Sequence, residues 1–161
     1  MFGYRLRAPV LALIALFGMG SSHAATHGGA SIEQINAPIH TSAQLDEYMH
    51  GMGSSSPLSA LSAPALERFV ASLRFNESGL VSYRYSDIES ELSARQAYRL
   101  LALFGAQRTL GLMSNIALET PGDVSVMRSV LEAPAADHPG HECAGRATCS
   151  TSPQRICMGG C

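Results

Sequence analysis

All four cysteines of this 161-residue chain lie within its last nineteen residues. Few large apolar side chains follow residue 133, so this segment cannot bury enough apolar surface to form a core of its own. An even number of cysteines in a core-poor segment is typical of disulfide-bonded extensions in exported proteins. The sequence therefore predicts a cysteine-rich tail over residues 134–161, with two disulfides among Cys143, Cys149, Cys157 and Cys161.

The spacing of these cysteines does not decide their pairing, because four cysteines allow three connectivities. Pairing between sequence neighbours, Cys143 with Cys149 and Cys157 with Cys161, closes the shortest loops and is our preferred prediction. Each loop of this kind is expected to contribute about 2 to 3 kcal/mol by restricting the unfolded chain. We expect the rest of the protein to stay folded without them.

A soft-metal site is an alternative interpretation of the tail, because imidazole and thiolate groups together can hold zinc or copper. The cysteine spacing lacks the close pairs of structural zinc sites, and an oxidising compartment consumes free thiols. We therefore predict no cofactor. The alternative ligand set comprises His138, His141, Cys143, Cys149, Cys157 and Cys161. In a third interpretation, the tail is a disulfide-bonded peptide that is released from a helical precursor.

The first 24 residues have the three parts of a secretory signal peptide. A basic head with Arg5 and Arg7 precedes an apolar stretch over residues 8–19, and small residues end the segment. The apolar stretch is shorter than the ~20 residues that a membrane-spanning helix needs. We expect cleavage before Ala25, no transmembrane anchor after cleavage, and a periplasmic or secreted location.

Composition excludes several functional classes. The chain contains no lysine, which excludes the P-loop cation, Schiff-base chemistry and lysine general bases. Removal of the signal leaves nine arginines against 13 acidic residues, a net charge of about −4, and no basic cluster. Nucleic-acid binding is therefore not expected, since it depends on clustered positive charge. The use of arginine alone, with abundant alanine, favours a bacterial source.

Apolar periodicity and helix-capping patterns predict a small, mainly α domain of four to five short helices over residues 41–133. A flexible arm over residues 25–40 precedes it. The predicted helices cover residues 42–50, 63–75, 87–92, 94 to either 105 or 113, and 121–133. Strand-forming residues near 80–85 predict one minor strand or hairpin. The buried side of the last helix is expected to carry Val124, Met127, Val130 and Leu131.

The sequence carries neither the G-x-S-x-G nor the H-E-x-x-H motif. His40 and His50, near Asp46 and Glu47, are the only candidates for an acid–base pair, so catalysis is not favoured. Tyrosine and arginine are enriched at interface hot spots, which makes residues Tyr83, Arg84 and Tyr85 the candidate partner-binding site. The disulfide-bonded tail is the alternative partner-binding surface. The predicted function is that of a non-enzymatic binding protein of a bacterial periplasm or secretome, with an unidentified protein partner.

Overall fold

The computed structural model describes residues 31–132, 135 and 137–161. The predicted signal peptide and the first part of the predicted arm lie outside these residues. No helix in the described part of the chain is both long and apolar enough to cross a membrane. The helices of that part are α1 (Ile32–Ile35), α2 (Ser42–His50), α3 (Ala63–Ser72), α4 (Ser86–Glu91), α5 (Ala94–Ala102) and α6 (Pro121–Glu132), with 3-10 turns at Pro57–Ala60 and Gln107–Leu112. The strands are β1 (Arg74–Asn76), β2 (Gly79–Arg84), β3 (His138–Gly145) and β4 (Thr148–Cys157).

The prediction of a mainly α fold was wrong. Of the described residues, 47% are helical and 23% are in strands, and the strands form one four-stranded antiparallel sheet, so the fold is α/β. The predicted strand near residues 80–85 corresponds to β2, whereas β1, β3 and β4 were not predicted. Strands β3 and β4 are rich in Ser, Thr, Gly, Pro and Cys, and they lack the apolar alternation by which strands are recognised.

The order of strands in the sheet is β1-β2-β4-β3. Strand β2 is almost completely buried and pairs with only the last part of β4, where Tyr83 lies opposite Ile156 and Ser82 opposite Cys157. The sheet therefore combines strands of the predicted helical domain with strands of the predicted tail. Ile156 and Met158 are buried in the same hydrophobic core as the helices, so this end of the tail is anchored in the body of the protein.

The core is organised around the aromatic ring of Phe69 on α3. This ring makes edge-on contacts with Tyr83 of β2 and with Phe104, which follows α5, at centroid distances of 6.1 and 6.0 Å. Leu100 and Leu101 of α5 are completely buried beside them. Helix α5 is thus the central core helix, as its apolar spacing predicts.

Two helices end earlier than predicted. Helix α3 stops at Ser72 because Leu73 takes an extended conformation and leads directly into β1. Helix α5 stops at Ala102, and Gly105 then adopts a φ of +69°, which favours glycine. A Cβ at Gly105 would approach the Cα of Gln34 to 2.4 Å, so this glycine also permits close contact with α1.

The described part of the predicted flexible arm is ordered. Ser31 and Gln34 form a reciprocal capping box on α1, and the Gln34 side chain donates a hydrogen bond to the Leu80 carbonyl at 2.9 Å. Ile39 is only 1% exposed. Residues 31–40 therefore pack on the body, which the sequence did not indicate because Pro38 interrupts the apolar periodicity.

Candidate functional site

Strands β3 and β4 form a hairpin that extends beyond the rest of the sheet. Only Arg155–Cys157 of β4 pairs with β2, whereas the β3 pairing continues from His141 opposite Thr151 to Gly145 opposite Thr148. Among the described residues, no third strand pairs with residues 141–151, which we name the hairpin tip. Their side chains are exposed or half-buried. The tip faces outward, and the rest of the sheet supports it at one end.

A sharp bend in β4 separates the hairpin tip from the anchored end. Between the pairs His141–Thr151 and Pro139–Ile156 the register shifts, so that residues 152–155 of β4 lie opposite a single glycine. Gly140 and Gln154 have φ angles of +75° and +61°, in the left-handed region. Such bulges bend a strand and increase its local twist. In the sequence, the dipeptides Pro139-Gly140 and Ser152-Pro153 are turn signals that indicate this bend.

The predicted pair of disulfides is confirmed, but the preferred pairing is wrong. The bonds are Cys143–Cys161, with a Cα–Cα distance of 5.6 Å, and Cys149–Cys157, with a Cα–Cα distance of 5.9 Å. Cys149 and Cys157 lie on the same strand and meet because β4 bends back between them. Spacing alone does not reveal this bend, and a loop-length argument therefore favours the wrong partners.

The segment after β4 folds back beneath the hairpin tip. The Cys161 N–H donates to the Met158 carbonyl at 2.9 Å, and the Ala147 N–H in the tip turn donates to the Cys161 carbonyl at 2.7 Å. The Cys143–Cys161 disulfide reinforces this return. The tip is consequently fixed by three features: the pairing of its two strands, the bend in β4, and the returning segment.

The two disulfides adjoin one another. The Sγ atoms of Cys149, Cys157 and Cys161 all lie within 4.8 Å of each other, and we name this group the sulfur cluster. The rings of His138 and His141 are 6.2 Å apart, but neither histidine belongs to the cluster. All four cysteines are oxidised, so the sulfur atoms would become metal ligands only after reduction.

The predicted partner-binding residues occupy different environments. Tyr83 is 0% exposed, its hydroxyl hydrogen-bonds the Thr109 hydroxyl, and burial raises the pKa of its phenol. A surface role for Tyr83 therefore does not fit the structure. Arg84 and Tyr85 are half-buried against the bend in β4: Arg84 donates to the Gln154 side chain at 3.3 Å, and the Tyr85 N–H donates to the Gln154 carbonyl at 2.9 Å.

Charged groups connect the hairpin to the body. Arg155 forms an ion pair with Glu142 across the hairpin, with an N–O distance of 3.3 Å, and donates to the Ser72 carbonyl at the end of α3. Asp137 accepts a hydrogen bond from the Gly159 N–H at 2.7 Å, and burial raises the pKa of its carboxyl group. These contacts fix the base of the hairpin, and the ion pair with Glu142 also reaches the start of the hairpin tip.

Of the two histidines considered for catalysis, His50 is the last residue of α2, and His40 lies in the loop that precedes this helix. The His50 ring bonds the Asp46 backbone carbonyl at the end of its own helix, at 2.6 Å. The Gln44 side chain accepts a hydrogen bond from the His40 backbone N–H at 2.7 Å. The contacts of these residues with Gln44 and Asp46 stabilise the two ends of α2 and assemble no acid–base pair.

The surface of α6 carries an apolar groove that the sequence analysis did not anticipate. Val124 and Leu131, which were predicted on the buried side of this helix, are 44% and 58% exposed, whereas Val130 is buried as predicted. The groove has a volume of about 420 Å³ and is also lined by Leu118 and Met127. The prediction was wrong for the two exposed residues because the apolar face of α6 is wider than the part that the core covers.

No protein-family model, curated protein or solved structure matches this chain.

Proposed function

We propose that this chain is an exported, non-enzymatic binding protein of a bacterial periplasm or secretome and that its contact surface is the hairpin tip. The observation that carries the proposal is the placement of both disulfides. They restrain residues that contribute nothing large and apolar to the core, since the described residues 137–155 include no buried hydrophobic side chain. The disulfides therefore fix the shape of an outward-facing segment.

A fixed contact surface favours association. Binding by a mobile segment costs the conformational entropy of ordering it, whereas a segment that is already ordered avoids most of that cost. Disulfides also persist in oxidising compartments, which agrees with the predicted export. The tip exposes Arg146 beside small hydroxyl and glycine residues, a polar surface suited to hydrogen bonding with a protein partner.

The experiment is affinity capture from the native cell-envelope fraction with the tagged, processed chain. The tip variant is Arg146→Glu. The matched control is Arg99→Glu, which reverses an exposed charge on α5, outside the hairpin. We expect the wild type and the control to capture the same protein and the tip variant to capture at least tenfold less, since charge reversal at an interface disfavours the partner. Equal capture by all three would contradict the proposal.

The export part of the proposal has its own measurement. Intact-mass analysis of protein from culture fluid and periplasm should give a chain beginning at Ala25 with both disulfides formed. A full-length mass in the cell interior would contradict export. A separate tail peptide in the culture fluid would instead support the peptide-precursor alternative.

A soft-metal site is the second candidate function, and the proximity of the three Sγ atoms in the sulfur cluster supports it. Thiolates at such distances can hold zinc or copper(I) once reduced. Thiol titration and metal analysis of protein purified under argon without added reductant separate the two candidates. Four thiols with a bound metal would favour the metal site, and no free thiol would favour the disulfide-bonded contact surface.

A further inference from the structure

The apolar groove on α6 is flanked by two opposite charges. Arg128 and Glu132 are four residues apart, so they lie one turn from each other at the edge of the groove. Within the described part of the chain, neither takes part in an ion pair. The groove thus combines an apolar floor with one cation and one anion and has no net charge.

This combination favours a second copy of the same chain as the occupant. In a two-fold symmetric dimer every contact between the copies occurs twice. A surface with one positive and one negative group can therefore form two ion pairs with a second copy of itself. A strongly acidic or strongly basic partner would gain one attraction and one repulsion. Leu118, Val124 and Leu131 are three of the five large apolar side chains exposed among the described residues, which makes this the main uncovered apolar area there.

Helix geometry allows the pairing. Helix α6 has twelve residues and is therefore about 18 Å long at the α-helical rise of about 1.5 Å per residue. Two α6 helices that cross antiparallel, with Met127 of each copy against Leu131 of the other, bring Arg128 within about one turn of Glu132 in the other copy. The apolar side chains then fill both grooves while both ion pairs form at the rim.

We propose that the protein forms a two-fold symmetric dimer through the groove on α6. The dimer does not depend on the function of the hairpin tip, because the groove and the tip are formed by different elements. Each copy covers the apolar surface of the other, and the charges at the rim fix the antiparallel direction.

The test is sedimentation equilibrium of the processed full chain over a range of concentrations. We expect a reversible dimer for the wild type. Arg128→Glu and Glu132→Arg should each weaken self-association by about tenfold or more, since each places like charges against each other twice. An equimolar mixture of the two variants should form the heterodimer with restored affinity, because one copy then carries two negative and the other two positive groups. The double variant R128E/E132R should also self-associate.

Replacement of an apolar residue in the groove provides an independent test of the dimer. Leu131→Glu should abolish the dimer, whereas Ile35→Glu, which changes an equally exposed apolar residue on α1, should leave it intact. A wild type that stays monomeric throughout the concentration range would overturn the proposal. So would a dimer that is insensitive to Leu131→Glu, or a mixture of the two charge variants that does not recover affinity.

Discussion

The body and the hairpin are ordered by different means. In the body, side chains such as Phe69, Leu100 and Phe104 are removed from water, and apolar burial supplies most of the stability. In the described part of the hairpin, buried apolar residues occur only where β4 meets β2, from Ile156 to Met158. The remainder has cross-links instead of a core. A core-poor segment can thus keep a defined shape when it is anchored at one end and cross-linked.

The largest expected effect comes from the centre of the body. Phe69→Ala removes a completely buried ring that touches Tyr83 and Phe104, and it should lower the free energy of unfolding by about 3 to 5 kcal/mol. Tyr83→Phe is the mild control, because it removes only the hydroxyl contact with Thr109 and should cost about 1 kcal/mol. Urea unfolding measures both. Equal losses for the two variants would contradict an apolar core centred on Phe69.

The next largest loss of stability is expected where the hairpin is anchored in the body. Ile156→Ala should cost about 2 to 5 kcal/mol, because this side chain is completely buried opposite Tyr83 in the shared core. The loss should appear in the unfolding of the whole protein, followed by helical circular dichroism. Thr151→Ala, an exposed residue of the hairpin tip, is the control and should change little. If Ile156→Ala left helix unfolding unchanged, the hairpin would be an independent unit.

Removal of the disulfides separates cross-linking from burial. The Cys143→Ala/Cys161→Ala variant opens a link between residues 18 apart and should lose about 3 kcal/mol, by the loop-entropy relation. The Cys149→Ala/Cys157→Ala variant opens a link between residues 8 apart and should lose about 2.5 kcal/mol by the same relation. Amide hydrogen exchange should speed up in the hairpin tip and remain slow in α5. Loss of protection in α5 would show that the body depends on the cross-links.

The smallest expected effect is on the pH dependence of stability, and it arises from a residue of the body. Hydrogen bonds from the Thr120 hydroxyl and from the Arg95 backbone N–H hold the pKa of Asp123 well below its usual range. A carboxyl group with a lowered folded-state pKa stabilises the protein above its unfolded-state value, and this contribution is lost as pH falls below about 4. Asp123→Asn should therefore flatten the acid side of the stability profile.

The matched control for this pH dependence is Asp46→Asn, because Asp46 is exposed on α2. Thermal unfolding temperatures measured between neutral and acidic pH should fall less steeply for Asp123→Asn than for the wild type and for the control. Parallel profiles for all three proteins would contradict a special role of Asp123 at the start of α6.

Sequence patterns predicted the body better than the hairpin. Helix α2 has the predicted bounds, and the side chain of its N-cap Thr41 accepts a hydrogen bond from the Gln44 backbone N–H. Helix α6 begins at Pro121, which is the predicted first residue. Local signals of this kind are sufficient to predict a helix that contains its own capping residues and its own apolar face.

The hairpin was missed because its order is not local. Neither β3 nor β4 shows apolar alternation, and the strands depend on pairing with each other and on sulfur bonds between residues whose proximity requires the bend at Gly140 and Gln154. The exposure of Leu131 was missed for a related reason. Periodicity identifies an apolar helix face but does not say how much of that face the rest of the protein covers.

Disulfide mapping tests most directly whether β4 bends back on itself. The non-reduced, denatured protein would be cleaved after arginine with trypsin and after Met158 with cyanogen bromide, which separates Cys157 from Cys161. The structure predicts two linked pairs: residues 129–146 joined to 159–161, and residues 147–155 joined to 156–158. A link between 129–146 and 147–155 would show Cys143 bonded to Cys149, and it would contradict the bent hairpin and the contact surface built on it.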